Sequence, residues 1–319
     1  MKEYVSKLAP AIKEYLEFRK TLGYSGCQKI QLTMLDAYCH QCHPDIDTLT
    51  KEVVQGWIRY EALQGRGGIR SKATSARKLA LYMGNGAYIL PTKMTPKYPW
   101  YTPYILTDDE LSRLFLSVDN IKGRTDYSIK LMFPTLLRLM YTCGLRPNEA
   151  RSIKRKNINF DTGEILIEKT KMNKERIVVI SEDMLRQCRK YDAARTILTP
   201  QSEYFFVLAN DVAISGKQLL EVFHRCWRQA NPNIPTNMLP RVRPYDLRHR
   251  FASTVLQKWL SEGRDFYAML PYLRAYMGHQ DFSQTAYYIY LLPENLLASS
   301  GIDWRAIDGV SPEVDIWKS

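Results

Sequence analysis

No stretch of the 319 residues approaches the roughly 20 consecutive apolar residues that a membrane-spanning helix needs. The chain does not open with a charged segment followed by an apolar one, so the expectation is a cytoplasmic protein. Cysteine is scarce: Cys27, Cys39, Cys42, Cys143, Cys188 and Cys226 are the whole set. That is too sparse for a disulfide framework, and the six read as free thiols in a reducing compartment. Cys39-His40-Gln41-Cys42-His43, with Cys27 upstream, has the crowding of a zinc site. A Cys-x-x-Cys without a second matching pair is incomplete, however, and the expectation is buried thiols and no metal. Acidic residues are also in short supply, 33 against 45 Lys and Arg, for a net charge of +12. The imbalance lies in the body of the chain: residues 289–319 carry 2 basic and 5 acidic side chains. A basic body with interleaved aromatics suits a polyanion such as DNA, although a solvated basic surface would look the same.

What is present reads as two helical regions. Leu8, Ile12, Tyr15, Leu16 and Leu22 recur at helical spacing up to Gly23, and Ile30, Leu32, Leu35 and Tyr38 suggest a second helix. Thr50 looks like the N-cap of a third, with Val53, Val54, Trp57 and Ile58 facing inward. A fourth starts near Ser71 and carries Leu79, Leu81 and Tyr82. Between the last two, residues 64–72 combine three glycines with Arg66, Arg70 and Lys72. Such a loop admits close backbone approach and invites phosphate, or it is simply a mobile surface loop. From Leu90 to Pro103 four prolines preclude a continuous helix and mark a linker. Thr107-Asp108-Asp109-Glu110 then has the pattern of a capping box opening a new domain.

In that second region residues 129–140 read as a buried helix delivering the chain to Gly144 and Arg146, with Pro147 suited to the first position of the next helix. Arg146 should then sit where free backbone N–H groups favour an anion. Three strands are expected, at 156–160, 164–168 and 176–180, and helices at 181–194 and 215–230. A helix begins near Tyr245, and Gly278 ends another carrying Leu270, Leu273 and Tyr276.

Three separated stretches carry chemistry. Cys143-Gly144-Leu145-Arg146-Pro147-Asn148-Glu149 resembles the Gly-Leu-Arg-x-x-Glu box of the tyrosine recombinases, the phage-integrase family. Tyr245-Asp246-Leu247-Arg248-His249 resembles the family's His-x-x-Arg box with its first histidine replaced. Gly278-His279, followed by Thr285-Ala286-Tyr287-Tyr288, resembles the Gly-His then Thr-x-x-Tyr signature. The order and spacing of the three also fit. The resemblance implies a mainly α fold with a small antiparallel sheet in two domains. Residues 1–98 would form a helical core-binding domain gripping DNA, 99–106 a linker, and 107–319 a catalytic domain with a tail from about 291.

It further implies a site-specific recombinase working on double-stranded DNA as a homo-tetramer, without cofactor or metal. Tyr288 would attack a scissile phosphate to give a 3′-phosphotyrosyl link. Arg146 and Arg248 would hold the phosphate oxygens, since a guanidinium fork matches them bidentately. Lys171 would protonate the leaving 5′ oxygen, with Lys169 and Lys174 as alternatives for that role. His279 would assist Tyr288, and Tyr245 would donate a hydrogen bond. Tyr287 and Tyr290 are the neighbouring rivals for the nucleophile. His249, about 100° around the helix from Arg248, is not expected to share the phosphate. Two other functions remain open: a DNA-binding protein on the same scaffold that no longer cuts, to which Tyr245 points, and a related topoisomerase.

Overall fold

The computed structural model describes residues 4–24, 28–65, 68–84, 86–94, 103–123, 125–168 and 175–289. They fall into two compact units, Met1–Tyr101 and Thr102–Ser319. The architecture is mainly helical with, among the described residues, one two-stranded antiparallel sheet. None of the described helices is long and apolar enough to cross a membrane.

The first unit contains α1 (Ala9–Thr21), α2 (Lys29–Cys42), α3 (Lys51–Leu63) and α4 (Ile69–Met83). Thr50 caps α3 by accepting from the Val53 backbone N–H at 3.3 Å. Leu8, Ile12, Leu32, Leu35, Val53, Val54, Trp57 and Leu79 meet in one core. Leu22, Ile30 and Leu81, expected in the buried stripes, are instead exposed. Leu22 lies beyond the end of α1. Ile30 and Leu81 sit two positions from Leu32 and Leu79, about 200° around their helices. Lys72 is not a free cation of the preceding loop either. It lies inside the unit, its Nζ 2.6 Å from Glu61 Oε2, joining α4 to α3. Cys39 is buried, and burial pushes its thiol up to about 12. Cys27 lies outside the described residues; among those described, no His, Cys, Asp and Glu group could hold a metal ion.

The second unit opens with α5 (Asp108–Asp119), and its Thr107–Glu110 capping box forms in both directions. α6 (Tyr127–Thr142) is the core helix: Met132, Phe133, Leu136, Leu137, Leu139 and Met140 are fully enclosed among α5, α8 (Glu182–Leu198) and α10 (Asp246–Ser261). α9 (Gly216–Ala230) buries Leu219, Val222, Phe223, Cys226 and Trp227, leaving adjacent Leu220 outside. β1 (Glu164–Ile167) pairs with β2 (Arg176–Val179), Glu164 opposite Val179 and Ile167 opposite Arg176. The strand expected at 156–160 does not form. Arg155–Asn157 makes one tight turn, and Ile158 contributes only an isolated bridge to Ile165. Asn159 ends the extension there, because its side-chain oxygen accepts from the N–H groups of Asp161 and Thr162. Finally α10, α11 (Phe266–Met277) and α12 (Ser283–Ala286) gather Ala252, Leu256, Leu270, Leu273, Met277 and Ala286 into a smaller cluster that also takes in Tyr288.

Candidate active site

The site starts where α6 stops. Gly144 takes φ +58°, and a Cβ on it would lie 2.4 Å from the Phe251 ring, so only glycine makes this turn. The turn delivers Arg146 to the N-cap of α7 (Pro147–Arg151), with Pro147 at the first helical position. The anion waiting at that helix start turns out to be internal. Glu149 Oε2 accepts the Arg146 backbone N–H at 2.9 Å, and Glu149 Oε1 accepts from Arg146 Nη1 at 2.7 Å. Arg146 Nη2 reaches across to the carbonyl of Gly278 at 3.0 Å. Burial works against the Arg146 charge, but Glu149 and the adjacent Tyr245 outweigh it and raise its pKa.

Glu149 has a second arginine that sequence reasoning missed. Arg176 on β2 clamps it with Nη1 to Oε1 at 3.1 Å and Nη2 to Oε2 at 2.8 Å. Its Nε donates to the carbonyl of Tyr276 at 2.8 Å. Burial alone would raise the Glu149 carboxyl, yet Arg176 and Arg146 hold it down at about 2. Gly278 is again a fitted glycine: φ is +64°, and a Cβ would meet Arg176 Nη1 at 3.0 Å. The only signal for Arg176 in the sequence was alternation, since it shares a strand face with buried Val178. That signal was masked because outward-facing Ile177 and Val179 are apolar as well.

Arg248, on the first turns of α10, is fully buried. It donates through Nη1 to the Gly144 carbonyl at 2.6 Å and through Nη2 to the Met277 carbonyl at 2.7 Å. Its Nη1 is 4.0 Å from Glu149 Oε2. Desolvation lowers its pKa, partly offset by Tyr288 and Tyr245. Arg248 Nη2 is also 2.8 Å from His279 Nε2, and His279 Nδ1 is 2.8 Å from Thr285 Oγ1. A guanidinium has donors only, so Nε2 must accept and the imidazole proton sits on Nδ1, donated to Thr285. Burial first, then Arg248, Arg146 and Arg176, push the His279 pKa down to about 3, which fixes it as this neutral tautomer.

Tyr288 is 3% exposed. Its ring stacks on His279, centroids 5.7 Å apart at 16°, and packs against His249 at 5.3 Å. Burial pushes its phenol up to about 12 against the pull of the neighbouring Arg248. Tyr245 stands at the N-cap of α10, half-buried, beside Arg146 and with its ring 5.2 Å from that of His249. Arg146, Tyr245, Arg248, His279 and Tyr288, drawn from three separate stretches, therefore converge. Tyr287 is partly exposed and touches the His249 and Tyr288 rings. Lys171, its alternatives Lys169 and Lys174, Tyr290 and the tail from Leu291 lie outside the described residues.

Comparison with known proteins bears on the same residues. The y4rE protein of Sinorhizobium fredii is 31% identical over 191 residues, which cover 59% of this chain and 59% of y4rE. The y4rB protein of the same organism is 25% identical over 306 residues, 91% of this chain and 95% of its own length. The fold is that of the Tn1549 transposon integrase, solved with transposon right end DNA: the TM-score is 0.63 at 14% identity, over 90% of this chain and 96% of that one. The Phage integrase family matches residues 105–294, a span that starts just before the α5 capping box and runs past Tyr288. Because that match takes in more than half of the chain and all three boxes, the chain belongs to the phage integrase family, the tyrosine recombinases.

Proposed function

We propose that this protein is a site-specific recombinase that cuts and rejoins double-stranded DNA through a 3′-phosphotyrosyl intermediate. The observation that carries this is the placing of the Tyr288 ring on His279 and beside Arg248, two groups that belong to different boxes. Tyr288 attacks the phosphorus and the 5′ oxygen leaves; the bond energy stays in the covalent link, so neither ATP nor metal is consumed. Arg146 and Arg248 stabilise the charge on the non-bridging oxygens. Tyr245 adds a neutral hydroxyl donor where the family's box has an imidazole, and Lys171 protonates the leaving oxygen. His279, already neutral and bonded at both nitrogens, orients Arg248 and carries the face on which Tyr288 rests. Residues 1–98 supply further DNA contacts. The protein works in the cytoplasm as a homo-tetramer on paired sites.

The test uses a nicked DNA site that traps the covalent step. The parent is expected to become attached to the DNA. Tyr288→Phe is expected to bind the same DNA without attachment. An adduct that persists in Tyr288→Phe and disappears in Tyr287→Phe or Tyr290→Phe would reassign the nucleophile. A second function, DNA binding without cleavage, is favoured by Tyr245 alone and predicts that the parent forms no adduct at any concentration that saturates binding.

A further inference from the structure

The hydroxyl proton of Tyr288 needs a destination, and the two histidines touching that ring differ in what they offer. Both nitrogens of His279 are committed, Nε2 to Arg248 and Nδ1 to Thr285. It can take a proton only by breaking its bond with Arg248. His249 is 7% exposed, and its Nδ1 is buried without a hydrogen-bond partner. An unpaired buried acceptor lowers stability, so a structure that holds one at a reactive tyrosine holds it against a cost. The His249 ring lies 5.3 Å from the ring of Tyr288 and 5.2 Å from that of Tyr245. Its Nε2 is 4.0 Å from Oδ1 of fully buried Asp246, which favours the proton on Nε2 and leaves the Nδ1 lone pair open.

We propose that His249, and not His279, is the proton acceptor for Tyr288, taking over in this chain the imidazole that the box lacks at position 245. This rests on Tyr288 being the nucleophile of DNA cleavage. In the step, the Tyr288 O–H bond breaks as its oxygen bonds to phosphorus, and the proton passes to His249 Nδ1. The bond from phosphorus to the 5′ oxygen breaks, and Lys171 supplies that oxygen's proton. The groups facing His249 are Tyr245, Asp246 and Arg248 of its own helix, Arg243 of the preceding loop, and Tyr287 and Tyr288 after α12. Burial, then Arg243 and Arg248, keep the ring neutral in the empty site, with its pKa pushed down to about 3. A bound phosphate brings negative charge to Arg248, so the imidazolium formed in the step is opposed less.

His249→Phe preserves a packed ring and removes both nitrogens, and His249→Asn is the smaller companion variant. Each is compared with the parent for binding to the nicked site and for the rate of covalent attachment, with tyrosine or a fluorinated, more acidic tyrosine at position 288. Binding is expected to be unchanged and attachment to slow by roughly 100-fold, within the range for loss of a general base. The fluorinated tyrosine is expected to recover about tenfold or more in the His249 variants and to change the parent little, because an already acidic phenol needs no acceptor. A His249→Phe protein that attaches at the parental rate overturns the proposal, as does a slow variant that the acidic phenol does not rescue, since a packing residue would behave that way. A parent that never attaches overturns the recombinase function and this inference with it. If His249→Phe fails to bind DNA, His249→Asn carries the same comparison.

Discussion

Both units of the chain bury charge, and they balance it differently. In the first unit Lys72 meets Glu61 at 2.6 Å, 6% and 2% exposed. In the second, three guanidiniums crowd one carboxylate: Arg146 and Arg176 bond to Glu149, and Arg248 approaches it to 4.0 Å. Arg248 is left to carbonyls and a neutral imidazole. Desolvating a charge is costly unless an opposite charge repays it. The Lys72–Glu61 pair brings opposite charges together and ties two helices to each other. The arginine cluster is short of negative charge, and a phosphate supplies it. What marks the site is the convergence of three guanidiniums on one buried carboxylate.

The comparison is sharpest where one partner is removed. Lys72→Met removes the ammonium that buried Glu61 faces at 2.6 Å and is expected to cost about 3–5 kcal/mol in urea unfolding, while adding Glu61→Leu should restore most of it. A double variant no more stable than the single one would show that the pair is not self-contained. In the second unit the anion is the group at risk. The folded Glu149 carboxyl sits at about 2 against 4.5 for the free group, so its contribution is complete above pH 4.5 and is lost as pH falls toward 2. Over that window the parent is expected to lose about 3 kcal/mol more than Glu149→Gln, part of it already by pH 3. Parallel pH profiles would mean that Arg146 and Arg176 do not depend on the ionised carboxylate.

Next in size is Arg248→Lys. An ammonium cannot reach the Gly144 and Met277 carbonyls and His279 from one plane, so covalent attachment to DNA should slow by roughly 100-fold or more while binding persists. Unchanged cleavage would place the excess charge elsewhere. The smallest expected effect is at Tyr245, a neutral donor beside two cations. Tyr245→Phe should slow attachment by about tenfold, and Tyr245→His should keep measurable activity. A Tyr245→Phe protein as fast as the parent would make that residue a packing tyrosine. An inert parent that gains cleavage with Tyr245→His would turn the chain into a binding protein.

Local chemistry was legible without coordinates. Thr50 and Thr107 cap their helices as their spacing with Val53 and Glu110 requires, because capping involves only three consecutive steps of chain. Pro147 at a helix start and Gly278 at a helix end follow equally local rules. The strand misplaced at 156–160 shows the limit: its apolar alternation was real, but the Asn159 side chain competed for the backbone and won. Ile30 and Leu81 show another, since periodicity marks a stripe without saying how wide the partner helices make it.

By itself, then, the sequence determined which residue types this protein brings to its chemistry, the order of the boxes that hold Arg146, Arg248, His279 and Tyr288, and the caps and glycines that start and stop their helices, all settled within a few residues of chain. Only the tertiary structure decided that Arg146 bonds to Gly278, 132 residues away, that Arg248 bonds to Gly144, 104 away, and that Arg176 bonds to Tyr276, 100 away. Those contacts hold the three guanidiniums in place, and Arg248 so held sets the tautomer of His279 together with Thr285. Hydrogen bonds and desolvation act on distance in space, and the chain that separates these groups carries no local trace of it.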